Sequence, residues 1–285
     1  MRDMRPKILP APLRVIIFSA LILCTACTNL FLQPSRDFEP TRFPDTIMVE
    51  DVSIKGTANM LHGWLITPRN LECRGLILFF HGNAENISTH SNGVAWLVPH
   101  GYCILTFDYQ GYGRSGGEAD IDAIHADAAI MLQQAVSRAE SIDKPLIIFG
   151  QSLGGAVAIY TVATSPQKSK IATLIVEGTF ISYRAIAREK LSEHVLTWFL
   201  QPLVPLLITD RYSPDHWVQE IYPVRFLVMQ GVDDTIVSSH NGEMIFEKAG
   251  GPKELWRTTP RGHIASFNDP GIRRQFLEYL SSLTD

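Results

Sequence analysis

From about residue 46 onward the chain consists of short apolar runs separated by longer stretches with helical periodicity. Thr46–Ile54 and Leu61–Thr67 alternate apolar and polar positions, which predicts an antiparallel pair of strands. The runs that follow are Leu76–Phe80, Cys103–Tyr109, Leu146–Phe149, Ala172–Glu177, Phe226–Gln230 and Glu254–Thr258. Most are apolar on both faces, as strands buried within a parallel sheet are. Between them, Ser91–Pro99, Ala119–Ala139, Gly155–Ala163, Ser239–Lys248 and Gly271–Leu283 carry helical patterning. Strands alternating with helices predict an α/β fold, a mostly parallel central sheet of about eight strands with helices on both faces. Ligand sites in such sheets lie outside the carboxyl ends of the strands. Reactive residues should therefore fall in the segments that directly follow strands.

One segment breaks the rhythm. Ser182–Tyr222 offers amphipathic helical positions around Ala185–Leu200 and then Pro202, Pro205 and Pro214 before the next strand. Ordinary connections run about 2–6 residues, so this stretch predicts a small helical cap over the site. Its Leu196, Trp198, Phe199 and Leu200 suit either an acyl-chain site or the cap's own core. The N-terminus differs again: Arg2, Arg5, Lys7 and Arg14 precede an apolar run, Val15–Leu23, broken by Ser19. That length fits the 7–15 residues or so of a secretory h-region and falls short of the roughly 20 that a spanning helix needs. Residues 1–26 are expected to be a signal peptide or a retained membrane anchor. A Pro-punctuated linker, 27–45, leads into a single domain at 46–285 with its cap at about 182–222.

Composition narrows the function. A net charge of −4 gives no reason to expect nucleic acid, which wants a concentrated basic face. A core of this size needs no metal or disulfide to hold it. Of the four cysteines, Cys73 and Cys103 each adjoin an apolar strand and are expected to be separate buried hydrophobes, although an exported chain could join them.

The sharpest chemical signal is Gly150-Gln151-Ser152-Leu153-Gly154, which follows the run Leu146–Phe149 and opens a helical stretch. A nucleophile elbow needs that context, because the serine sits on a strained strand-to-helix turn and glycines relieve the crowding. Serine is a weak nucleophile without a base in hydrogen-bond reach. Downstream, His194 and His216 fall in the cap and His240 begins a helix. His263 lies in a loop past the last strand, where a base can swing over the sheet edge. The orienting acid should follow the preceding strand, where Gly231-Val232-Asp233-Asp234 offers two adjacent carboxylates. Asp234 is favoured and Asp233 is the alternative. The backbone N–H of Leu153, next after the nucleophile, is one expected oxyanion donor. The loop His81-Gly82-Asn83 supplies the second, through Asn83. His81 is expected to brace that loop.

These pieces, together with Asp108-Tyr109-Gln110-Gly111-Tyr112-Gly113-Arg114-Ser115-Gly116-Gly117, resemble the α/β-hydrolase superfamily. Within it they are similar to the serine-aminopeptidase-like and monoacylglycerol-lipase-like group, from about Thr46 to Leu283. The spacing from Gly231 to Asp234 and on to Val237 matches the family's Gly-x-x-Asp-x-x-Val. The resemblance implies structural roles for Asp108 and Arg114 and no second nucleophile at Ser115. Gln110 stands where the family often has Arg, which should loosen that loop. Leu23-Cys24-Thr25-Ala26-Cys27 resembles a bacterial lipobox, implying an envelope lipoprotein anchored at Cys27, with Cys24 in the place of the usual Leu; a single N-terminal transmembrane anchor is the alternative. The expected activity is cleavage of a small-molecule acyl ester or thioester with Ser152, His263 and Asp234 and no cofactor or metal. The alternatives are a peptidase or a non-catalytic binding protein on the same scaffold.

Overall fold

In the computed structural model of the chain, which describes residues 31–193 and 196–283, the apolar runs form one eight-stranded sheet. Its strands are β1 (Ile47–Lys55), β2 (Met60–Pro68), β3 (Gly75–Phe80), β4 (Tyr102–Phe107), β5 (Leu146–Gln151), β6 (Ile171–Glu177), β7 (Arg225–Gly231) and β8 (Lys253–Thr258). They lie in the order β1-β2-β4-β3-β5-β6-β7-β8. β1 is antiparallel to β2, and β2 to β4; every other pair is parallel. The fold is that of an α/β hydrolase.

The central strands read as unbroken apolar runs because both of their faces are covered. Along β3, Leu76, Leu78 and Phe80 enter one core with α2 (Ile121–Ser141), α3 (Leu153–Thr164) and Ile245 of α5 (Ser239–Lys248). Ile77 and Phe79 enter the other, with α1 (Ile87–Val94) and α6 (Pro270–Ser281). Alternation along a strand sends successive side chains to opposite faces, and each fully buried Leu or Phe contributes about 1.5–3 kcal/mol. The helix expected at Ser91–Pro99 starts earlier: Asn86 accepts the Ser88 N–H and caps α1, and the 3₁₀ turn Ala95–His100 carries Pro99.

Two features depart from expectation. Cys73 and Cys103 are joined in a disulfide, with Cα atoms 5.6 Å apart. Each flanks or lies in a strand, as read, but β3 and β4 are neighbours with Leu76 paired to Cys103. That register brings the stretch entering β3 alongside the start of β4. The second departure is in the stretch read as a linker. From residue 31 it packs on the domain: Leu32 is 1% exposed, and Gln33 and Pro34 pair in parallel with Ala84 and Glu85.

The Ser182–Tyr222 segment contains α4 (Tyr183–Ser192) and a series of short turns. Ser182 caps α4 by accepting the Ala185 N–H. Arg184 ties the segment together by donating to the carbonyls of Ile208 and Pro205. Leu196, Trp198 and Phe199 are exposed, so these three do not form a cap core. Among the described residues no helix is long and apolar enough to cross a membrane. Residues 1–30, with Cys24 and Cys27, lie outside the described residues, as does His194.

Candidate active site

β5 ends at Gln151, and Ser152 turns the chain into α3 at φ 54° and ψ −118°. A positive φ is rare for a residue with a Cβ and is held only where the surroundings enforce it. The enforcement comes from close backbone packing. A Cβ at Gly150 would lie 2.4 Å from the Gly154 carbonyl oxygen, and one at Gly154 would lie 2.1 Å from that of Phe80. The Ser152 N–H donates to the Glu177 carbonyl at 2.9 Å, fixing the elbow to the end of β6.

Asp234 follows β7. Its Oδ1 accepts the N–H groups of Ile236 and Val237, each at 2.9 Å. Its Oδ2 lies 2.8 Å from His263 Nδ1, and its side chain is fully buried. With the carboxylate accepting, Nδ1 carries the proton and Nε2 presents its lone pair. Nε2 is buried and has no hydrogen-bond partner among the described residues. Asp233, the alternative acid, faces Arg261 at 3.6 Å. His216 sits beside Asp215 in the cap at 3.3 Å, and His240 is in α5.

Gly178 brings the two halves together. A Cβ there would lie 3.1 Å from His263 Cε1 and 3.2 Å from Asp234 Oδ2, and the preceding carbonyl, Glu177, holds Ser152. The Asp234–His263 pair and the Ser152 elbow therefore adjoin one peptide. On the opposite side the His81–Ala84 loop approaches the serine, since a Cβ at Gly82 would lie 3.7 Å from Ser152 Cβ. Leu153 is the first residue of α3, where a backbone N–H has no intrahelical partner. Asn83 lies in the facing loop.

His81 is buried, with its Nδ1 2.8 Å from the Gly82 carbonyl and its ring 4.1 Å from that of Tyr109. Burial, aided by nearby His90, drives its pKa down to about 3, so it is a neutral brace. Asp108 accepts the N–H groups of Ile87 and Arg114. Ser115 Oγ is engaged with the Asp108 carbonyl and the His62 N–H. Gln110 does not loosen its loop: it accepts from Asn59 at 2.8 Å and donates to the Glu118 carbonyl at 2.9 Å.

Two neighbours of the site carry no sequence motif. Glu177, 1% exposed, accepts from Gln151 Nε2 at 2.7 Å and from the Ser266 N–H at 3.0 Å. It thus joins the elbow to the histidine loop. His90 packs against Gly82, with Nε2 2.8 Å from the Ala84 carbonyl, and burial lowers its pKa. Glu177 closes an apolar strand and His90 lies in a polar helix, and only the fold shows what each touches. Among the described residues no cluster of His, Cys, Asp or Glu is arranged to hold a metal ion.

The serine aminopeptidase, S33 family matches residues 72–222. The chain belongs to that family. An uncharacterized *Escherichia coli* K12 protein, YfhR, is 26% identical over 97% of this chain and 95% of its own length. The α/β-hydrolase domain-containing protein WAV2 of *Arabidopsis thaliana* is 31% identical over 76% of this chain and 71% of its own. Among solved structures, the *Pyrococcus furiosus* esterase Pf2001 superposes with a TM-score of 0.70 at 20% identity, covering 89% of this chain and all of that one. The family and its fold make this protein a hydrolase.

Proposed function

We propose that the protein is a serine hydrolase that cleaves carboxylic esters or thioesters through an acyl-enzyme. The observation that carries this reading is the buried Asp234–His263 hydrogen bond, with Nε2 left without a partner among the described residues and the pair beside the Glu177–Gly178 peptide that holds the Ser152 elbow. In the reaction, Ser152 Oγ bonds to the acyl carbon while its proton passes to His263 Nε2. The oxyanion is held by the N–H groups of Leu153 and Asn83. The carbonyl re-forms as the alcohol or thiol leaves with that proton. Water, deprotonated by the same nitrogen, then releases the acid. Asp234 orients the imidazole and stabilises the imidazolium.

A peptidase that reads a free amino end needs an available acidic group. The cap's Glu189, Glu193, Asp210 and Asp215 are scattered rather than clustered, with Asp210 committed to Ser182 and the Arg184 N–H, Glu193 paired with Lys190 and Asp215 beside His216, which favours the ester reading. The esterase neighbour Pf2001 agrees with it. With p-nitrophenyl esters of increasing chain length, turnover is expected for wild type, while Ser152→Ala and His263→Ala should each lose about 10⁴-fold or more in kcat. Equal activity in wild type and Ser152→Ala would overturn the reading. We place residues 1–26 in the same proposal as an export signal with lipid on Cys27; incorporation of a fatty-acid analogue that survives Cys27→Ala would contradict it.

A further inference from the structure

The site contains a part from outside the strand-and-helix scaffold. We infer that residues 31–38 form a strap that positions the oxyanion loop through the side chain of Asn83, so that the N-terminal segment sets the rate of the chemical step. This rests on the serine-hydrolase reading and its use of the Asn83 N–H.

The Asn83 amide is committed to the strap. Its Nδ2 donates to the Phe31 carbonyl at 2.5 Å, and its Oδ1 accepts the Gln33 N–H at 3.1 Å and the Tyr112 hydroxyl at 2.9 Å. Immediately after it the loop adopts a conformation that the sequence alone disfavours, with Glu85 at φ 65°. A non-glycine residue holds such a value only where its surroundings over-determine it. Here they are again the strap, which pairs with Ala84 and Glu85.

The strap is itself held at many points. The Gly113 N–H donates to the Ser35 carbonyl, and Asn86 Nδ2 donates to the carbonyls of Ser35 and Asp37. Arg36 donates to the carbonyls of Ser115 and Gly117, and the Arg114 guanidinium lies 3.9 Å from the Phe38 ring centroid. At its start Leu32 is buried, and Phe31 packs edge-on against Phe180 and Tyr183, with centroids 5.8 and 5.3 Å away. Phe180 is two residues past Gly178, where a Cβ would meet His263 and Asp234. The strap therefore crosses from the loop beside Ser152 to the root of the cap. A displacement of about 1 Å in a catalytic constellation is enough to slow it roughly 100-fold.

The test uses the full-length chain and p-nitrophenyl butyrate. Asn83→Leu removes the side-chain bonds and keeps the backbone N–H. Gln33→Pro removes the strap's donor. Each is expected to lower kcat about 10- to 100-fold with little change in KM, and the double variant to be no slower than the slower single, because both act through one contact. Arg36→Ala, at an exposed position, loosens the strap without touching the core and should lower kcat about threefold; it keeps the test informative if Gln33→Pro does not fold. Unchanged kcat in these variants, or a double variant whose loss is the product of the single losses, would overturn the strap's role. Wild-type labelling by a fluorophosphonate separates the two readings. If wild type labels at Ser152 and the variants match its kcat, only the strap proposal falls; if wild type neither labels nor turns over ester, the hydrolase reading falls and takes the strap's role with it.

Discussion

The carboxyl edge of the sheet and the Ser182–Tyr222 segment are built on opposite terms. At the edge, Gly150 and Gly154 let the backbone approach to distances no Cβ would allow, Gly178 sits at φ 59° close against His263 and Asp234, and Asp234 and Glu177 are buried with each carboxylate oxygen bonded. In the Ser182–Tyr222 segment Leu196, Trp198 and Phe199 are 85%, 57% and 60% exposed. Close packing fixes reacting groups, whereas an exposed apolar surface leaves freedom to meet a varied ligand. The difference teaches that the candidate site residues are fixed by the close-packed sheet edge, while the Ser182–Tyr222 segment leaves apolar side chains free at the surface.

The largest effect should come from filling the edge. Gly154→Val drives a branched side chain into the Phe80 carbonyl and is expected to destabilise by more than about 4 kcal/mol, seen as loss of soluble folded protein. Normal expression and melting would show that the edge tolerates displacement after all. Next is the covalent tie beneath it. Cys73→Ser opens a link of 30 residues' separation, and the loop-entropy relation gives a loss of about 3–4 kcal/mol, measurable by urea titration.

The third effect is a dependence on pH that spans both regions. His81 at the edge and His125 under the cap have their pKa values pushed down to about 3 by burial. His125 also stacks on Tyr212 at 4.1 Å. Because the unfolded chain takes up these protons first, near pH 6.5, stability is fully present above that pH and declines as pH falls toward 3. His125→Phe should flatten the decline in Tm between pH 6.5 and 4; an unaltered slope would show that His125 is not a buried neutral group. The smallest effect belongs to the cap surface. Trp198→Ser with Phe199→Ser should change stability by no more than about 0.5 kcal/mol yet alter the preference for ester chain length. A large drop in Tm would make those residues part of a core.

Much of this arrangement was legible in the sequence, for identifiable reasons. Strands buried on both faces read as apolar runs and the largely exposed β1 reads as alternation, so the sheet is legible, and Ser152, Asp234 and His263 each follow a strand. The cysteine bridge was not legible because it depends on which strands are neighbours, and β3 and β4 are adjacent only once the crossover is made. The Pro-punctuated stretch before residue 46 reads as a linker, since its bonds run through backbone groups at Phe31, Gln33, Ser35 and Asp37. Glu177 and His90 escaped because burial and partners, not residue type, give them their places. For Trp198 and Phe199, an apolar pattern cannot say whether it faces a core or solvent.

The central claim is that Ser152 is an activated nucleophile. Intact-mass spectrometry of the full-length protein after fluorophosphonate treatment, with peptide mapping of the adduct, tests it most directly. The account predicts one covalent adduct, on the peptide carrying Ser152, slowed strongly in His263→Ala and absent in Ser152→Ala. An adduct on another residue, or none on folded protein, would contradict it.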